Sequence, residues 1–314
     1  MPIEVQSEEW GVGSSRPRDT AASRTGSPSP STPHSPPVDR ADRADDRESR
    51  DAGVHRRFRT EYARHRATEG YSAVEASALP YVTSGPLARQ WSVRARSWEA
   101  FYHRVLRPAQ QRADVRAAGP LRVLDLGAGN GWLAHRAAVG GAEALALDVR
   151  DDRVDGLGAA PSGSPIERVV ASFDAIPVCD DVFDVVVFNA SLHYAENLRL
   201  ALREARRVAR RGAPIVVLDS PFYRRAADGE AMVREKRLNA ERQFGDRMDA
   251  LLAIDFVEYL TPERLADATR GVALGLWRRH RVRYPLWYEL RGLRAHLRGE
   301  RKPSRFDLWE SVAA

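Results

Sequence analysis

The chain has 314 residues, 43% of them apolar, and a formal net charge of +6 from 49 basic and 43 acidic side chains. That is enough material for one large domain with added elements, or for two small ones. A single cysteine, Cys179, excludes an intramolecular disulfide framework and a multi-thiolate zinc site, and no cluster of His and carboxylates at ligand spacing suggests a metal. No basic-then-apolar leader and no apolar run approaching a membrane span is visible, so a cytoplasmic protein without a membrane partner is expected. Only Lys236 and Lys302 are lysines, so 47 of the 49 basic residues are Arg. This uniformity fits a coding bias and a solvated arginine surface better than a nucleic-acid partner.

Residues 1–55 read as a disordered, low-complexity extension. They hold a Ser-Pro-rich stretch and a mixed-charge segment, with 7 Arg against 10 Asp and Glu. Such composition buries too little surface to offset the entropy of ordering it. Residues 56–119 form an expected N-terminal helical cap, with helices over Phe58–Arg66, Ala73–Leu79 and Pro86–Val105. In the last of these, Trp91, Arg94, Trp98, Phe101, Tyr102 and Val105 recur at helical spacing. Pro108 is expected to close that region. From residue 120 to 314 strands and helices alternate. Strands are predicted at 122–126, 144–148, 169–172, 183–189 and 215–220, with helices at 131–138 and 197–211. A long helical segment over 223–254, a helix at 262–269, a strand at 276–284, a helix at 286–299 and a strand at 305–312 follow. Runs such as Val185-Val186-Val187-Phe188 suit strands covered on both faces, and the alternation implies right-handed crossovers in a parallel sheet.

The chemistry is concentrated in Val123-Leu124-Asp125-Leu126-Gly127-Ala128-Gly129-Asn130-Gly131-Trp132. An apolar strand ends beside an acid, and a Gly-x-Gly-x-Gly loop opens a helix. Glycines let main chain approach a ligand at the carboxyl edge of the sheet. A dinucleotide loop requires its third glycine where this chain has Trp132, so a nicotinamide-dependent oxidoreductase is the weaker alternative.

The segment closely resembles the first motif of the class I S-adenosylmethionine-dependent methyltransferases. The resemblance continues through Leu145-Ala146-Leu147-Asp148, Ser172-Phe173-Asp174-Ala175-Ile176-Pro177, Phe183 to Tyr194, and the helix, turn and strand ending at Leu218. It implies an α/β, Rossmann-like, doubly wound and mostly parallel seven-stranded sheet with an antiparallel C-terminal hairpin. It also implies S-adenosyl-L-methionine as cofactor and an unidentified small-molecule methyl acceptor with an O, N, S or C nucleophile. Carried over residue by residue, the cofactor site comprises Asp125 for the ammonium, the backbone of Gly127, Ala128, Gly129 and Gly131, and Asp148 for the ribose hydroxyls. Ser172 and Phe173 flank the adenine, and Asn189 lies beside the methyl group. Ser172 stands where the family often has Asp, which leaves Asp174 or a carbonyl to take that contact. Arg94 and Arg96 are candidates for the cofactor carboxylate.

His193 is the candidate catalytic base, with a lining role as the alternative; Tyr194 shares the ambiguity. Asn189-Ala190-Ser191-Leu192 lacks the prolines of amine-methylating boxes, and Cys179 lacks the preceding Pro of a cytosine-C5 nucleophile. The interleaved basic and aromatic residues of 277–284 read as an edge strand rather than a nucleic-acid platform. A roof from Trp91 to Phe101 and from Phe222 to Ile254 is expected, with aromatic lining from Phe222, Tyr223, Trp287 or Tyr288. A non-catalytic protein binding the cofactor or its product on the same fold is the other alternative.

Overall fold

A computed structural model describes residues 40–71, 74–116 and 119–314. The strands are β1 (Arg122–Leu126), β2 (Glu143–Asp148), β3 (Ile166–Val170), β4 (Val185–Asn189), β5 (Pro214–Leu218), β6 (Arg278–His280) and β7 (Leu308–Val312). They form one seven-stranded sheet in the order β3-β2-β1-β4-β5-β7-β6. The first five strands are parallel, while β7 runs antiparallel to both β5 and β6. The helices are α1 (Arg40–Thr68), α2 (Ala88–Phe101), α3 (Arg107–Arg116), α4 (Trp132–Val139), α5 (Leu198–Val208), α6 (Ala226–Phe244), α7 (Met248–Leu251), α8 (Pro262–Thr269), α9 (Leu286–Glu289) and α10 (Arg291–Leu297).

The apolar runs of the central strands divide by alternation into two cores. Val123, Ala144, Ala146, Val185, Val187 and Val216 face Trp91, Trp98, Phe101 and Leu133, from α2 and α4. Leu124, Leu145, Leu147, Val186, Phe188 and Ile215 face Leu202 and Leu265, from α5 and α8. The helical cap therefore shares a core with the sheet. Trp132, at the start of α4, fills the junction: its ring lies 5.5 Å edge-on to Trp91 and 6.1 Å from Trp98. Asn197 caps α5 by accepting the Leu200 N–H at 3.1 Å, and Thr261 accepts the Arg264 N–H at 3.1 Å ahead of Pro262.

Several boundaries differ from the sequence expectations. Helix α1 begins at Arg40 and crosses the expected boundary between extension and cap; residues 1–39 lie outside the described residues. Pro108 does not end the cap: helical backbone runs unbroken from α2 through a π turn over Tyr102–Leu106 into α3, and the widened turn just before Pro108 accommodates its ring and missing N–H. Strand β3 starts at Ile166 rather than 169, as a half-exposed edge whose pattern is weak. The expected strand over 276–284 pairs only through Arg278–His280; Leu276 is 97% exposed, and Asp307 holds the remainder by accepting the Val282 N–H at 3.2 Å. The segment joining β6 to β7 carries two short helices, α9 and α10, where one was expected.

Candidate active site

The strand carboxyl ends open into a cavity of about 720 Å³. Its floor is the turn after β1. Gly127 and Ala128 donate their N–H groups to Leu147 O at 2.8 and 3.0 Å, which holds the turn across the tip of β2. Gly127 has φ +71°, and a Cβ there would lie 2.3 Å from Ser191 Cβ, so only glycine permits this approach. Asp148, at the end of β2, accepts the Gly129 N–H at 2.7 Å and the Arg150 N–H at 2.8 Å. Each carboxylate oxygen keeps a lone pair, and Asp148 lines the cavity. Burial raises its pKa, opposed by the Arg150 guanidinium and the two backbone donors.

Gly127, Ala128, Gly129, Asp148, Ser172, Phe173, Asn189 and His193 all lie on the cavity wall, as do Tyr194 and Asp174. Asp125 and Gly131 do not. Asp125 is fully buried, and neither of its oxygens reaches hydrogen-bond geometry. Burial drives its pKa up to about 8, weakly opposed by the Ala134 N–H in the first turn of α4 and reinforced by the charge of Asp148. Gly131, at φ +68°, packs the start of α4 against the sheet; a Cβ would meet Ile166 Cδ1 at 3.0 Å and Ala146 Cβ at 3.7 Å. Its glycine serves helix–sheet packing, where a ligand contact was expected.

Arg94 lines the cavity, with its guanidinium 5.0 Å from the Trp91 ring, whereas Arg96 is exposed and paired with Glu99 at 2.9 Å. His193 meets Ser220 Oγ at 3.3 Å through Nδ1. Burial, with Lys236 and Arg94 adding to it, depresses its pKa to about 3, so the imidazole is neutral at physiological pH.

Part of the roof differs from expectation. Trp91 and Ile254 line the cavity, but Phe222, Tyr223, Trp287 and Tyr288 do not. Phe222 stacks on Trp309 at 4.7 Å and Tyr223 lies edge-on to Tyr259 at 5.9 Å, so core packing consumes both rings. The missed wall is α1, which contributes Phe58, Tyr62 and Arg66. Arg66 donates to Asp155 Oδ2 at 2.7 Å, and its guanidinium sits 3.3 Å over the Tyr71 ring. Asp155 also accepts from Asn130 Nδ2 at 3.2 Å and, through its carbonyl, from Arg150 Nη2 at 2.6 Å. Tyr62 and Tyr194 share a hydroxyl contact of 3.0 Å. These contacts tie the roof helix to the glycine loop and to the loops after β2 and β4. Asp219, just beyond β5, is a second missed wall residue; the only signal was an acid closing an apolar run, as at Asp125 and Asp148.

Residues 124–217 match the family model described as a methyltransferase domain, a stretch from β1 through β5. Over this stretch the chain carries a methyltransferase domain. Malonyl-[acyl-carrier protein] O-methyltransferase of Methylococcus capsulatus is 34% identical over 131 residues, covering 40% of this chain and 45% of that protein. The enzyme of the same name from Erwinia pyrifoliae is 32% identical over 102 residues, covering 32% and 38%. The chain thus matches less than half the length of these relatives. A solved chain from the complex of the Haloferax volcanii Trm112 methyltransferase activator with a methyltransferase aligns at 16% identity and a TM-score of 0.50. It covers 76% of this chain and 93% of that one, which establishes likeness of fold. Among the described residues no helix is long and apolar enough to cross a membrane, and no group of three or more His, Cys, Asp or Glu is placed to hold a metal ion.

Proposed function

We propose that this protein transfers the methyl group of S-adenosyl-L-methionine to a nucleophile on a small or medium organic acceptor. The observation that carries the reading is that one cavity gathers the bare Gly127–Gly129 main chain, Asp148, Phe173 and Asn189 at the carboxyl edge of the sheet. Its volume suits a ligand of this size.

The residues fit the cofactor on the chain's own geometry. The cradle at Gly127 is one that a Cβ would fill. Asn189 Oδ1 is buried without a hydrogen-bond partner on the wall, an acceptor suited to the ammonium. Arg94, which lines the cavity, answers the carboxylate with its guanidinium. The spare lone pairs of Asp148 accept the ribose hydroxyls, and Phe173 covers the adenine beside Ser172 and Asp174. Asp125 lies behind the loop, buried and off the cavity wall. His193, whose pKa lies far below the operating pH, forms wall rather than base. The bound cofactor supplies an electrophilic methyl on a cationic sulfur; the chain supplies alignment and exclusion of water.

Calorimetric titration tests this. Heat is expected with S-adenosylmethionine and S-adenosylhomocysteine and none with NAD⁺. Binding of NAD⁺ alone would overturn the reading, and binding without labelled-methyl transfer to any acceptor would leave a non-catalytic binder. The relatives' name offers a carboxylate on a carrier protein as one acceptor class, distinguishable by whether the product is a methyl ester.

A further inference from the structure

A second cavity, of about 380 Å³, adjoins the first and shares with it Gln90, Arg94, Asp219 and Phe306. Its own walls include Val93, Trp287 and Tyr288. The aromatic residues expected near the cofactor are thus partly found here, one chamber away.

Asp219 stands on the shared wall. Leu218 pairs with Asn189 across β4 and β5, so Asp219 is level with the loop beside the cofactor and one strand over. It is 5% exposed and adopts φ +48°, a left-handed conformation that Asp accepts more readily than most residues. One carboxylate oxygen is anchored: Ser97 Oγ donates to Oδ1 at 2.5 Å. Tyr284 OH lies 3.0 Å from Ser97 Oγ and donates its own proton to Phe306 O. With both hydroxyl protons directed in this way, Oδ2 is buried and has no hydrogen-bond partner among the described residues. Tyr288 OH, on a side chain 3% exposed, is likewise buried without a hydrogen bond on the second cavity's wall. Both open atoms belong to residues on the wall of this cavity, where a bound ligand supplies the missing partner.

We propose that the second cavity holds the methyl acceptor and that Asp219 takes up its proton, so that the acceptor reacts through a neutral hydroxyl or amine rather than a carboxylate. This rests on the cofactor assignment above. In the step, a lone pair on the acceptor oxygen or nitrogen forms the bond to the methyl carbon. The carbon–sulfur bond breaks with its electron pair left on sulfur, and the acceptor proton passes to Asp219 Oδ2. Charge balances, since the sulfonium becomes a neutral thioether and the carboxylate a neutral acid. A carboxylate acceptor would bring no proton and would face the Asp219 charge. The groups facing Asp219 are Arg94 and Ser97 from α2, and Tyr284 and Tyr288 from the segment before and within α9. Burial raises its pKa to about 6 against the opposing effects of Arg94 and Ser97, which leaves it ionised at neutral pH and suitable as a base.

The test uses the full chain. Cofactor affinity is measured by calorimetry for the wild type and Asp219→Asn. Single-turnover transfer of labelled methyl to a metabolite extract of the encoding organism follows, with the methylated group identified by NMR and the rate taken from acid to alkaline pH. Asp219→Asn is expected still to bind the cofactor and to lose about 10²-fold or more in single-turnover transfer at saturating cofactor. The ascending limb of the wild-type pH profile should disappear with it. Ser97→Ala keeps the carboxylate but removes its donor, and moves that limb to higher pH. Independently of turnover, an infrared carboxylic-acid band that titrates in the wild type should be missing from Asp219→Asn. A methyl ester as product, wild-type transfer by Asp219→Asn, or a band insensitive to either substitution overturns the proposal. Failure of the wild type to bind cofactor at all defeats the earlier assignment first, and this proposal with it.

Discussion

Replacing Asp125 with Asn tests how the glycine loop is supported from beneath. The carboxyl is wholly buried, unpartnered and close to Asp148, and burial lifts its pKa from 3.8 to about 8. The folded protein therefore keeps the proton that the unfolded chain gives up above about pH 4. The raised folded-state pKa means that the group's contribution is fully present below the unfolded pKa. It is lost progressively as pH rises towards the folded value. Each pH unit within that window is worth about 1.4 kcal/mol, so at pH 7 the wild type forfeits about 4 kcal/mol relative to a side chain that never ionises. Asn has nearly the shape of the neutral acid and leaves a similar unpaired donor, so the two proteins should unfold alike at pH 4. At pH 7 the variant should be the more stable, by an increase in urea midpoint on the order of 1 M. Urea titrations of both proteins at a series of pH values give the comparison directly, and other groups, such as Asp219, cancel in the difference. A gap between variant and wild type that does not change with pH would refute the reasoning.

The two loop glycines should separate. Gly127→Ala places a methyl 2.3 Å from Ser191 Cβ at positive φ, and should lose about 2–4 kcal/mol together with cofactor binding. Gly131→Ala is tight only against the flexible end of Ile166, its other contacts being of ordinary van der Waals length, and should lose about 1–2 kcal/mol with affinity retained, as followed by urea unfolding and calorimetry. Equal loss of binding in both would return Gly131 to the cofactor wall. Arg66→Ala removes one of two guanidiniums on the buried Asp155 carboxylate, leaving Arg150 at 3.5 Å and Asn130 at 3.2 Å, and should cost about 1.5–3 kcal/mol by urea unfolding; a double-mutant cycle with Asp155→Ala should return a coupling of that size. His193→Gln exchanges one neutral group for another, so the pH profile of methyl transfer should keep its shape; loss of the ascending limb would make His193 the base.

Much of the cofactor half was legible because its signals are local. The strand, glycine turn and helix around Gly127 are contiguous, and β4 and β5 are apolar runs buried on both faces, whose period and length carry the assignment. Trp132 counted against a dinucleotide and is now seen wedged between Trp91 and Trp98. The roof helix α1 was legible only over Phe58–Arg66, because it meets the site through Tyr62 and Arg66 rather than through an apolar stripe. Cation–ring contacts and buried ion pairs have no period. Phe222 and Tyr223 mislead for the complementary reason: an aromatic residue beside a strand end is as easily core as lining, and only a neighbour such as Trp309, far along the chain, decides which.

The second cavity is assembled differently, and this explains why neither pattern nor likeness reveals it. Ser97 lies 122 residues from Asp219 and 187 from Tyr284, yet their side chains form a single hydrogen-bonded row. No spacing rule joins such positions. The methyltransferase-domain match ends at Val217, two residues before Asp219, so it covers the strands that present the cofactor loops and omits the wall where the acceptor is proposed to sit. Likeness over that stretch constrains what donates the methyl group far more than what receives it. The carrier-protein acceptor in the relatives' name is therefore weaker guidance for this chain than the open Oδ2 of Asp219. A carboxylate substrate gains nothing from a base, whereas a hydroxyl or amine does, and the methylated product discriminates between them in one spectrum.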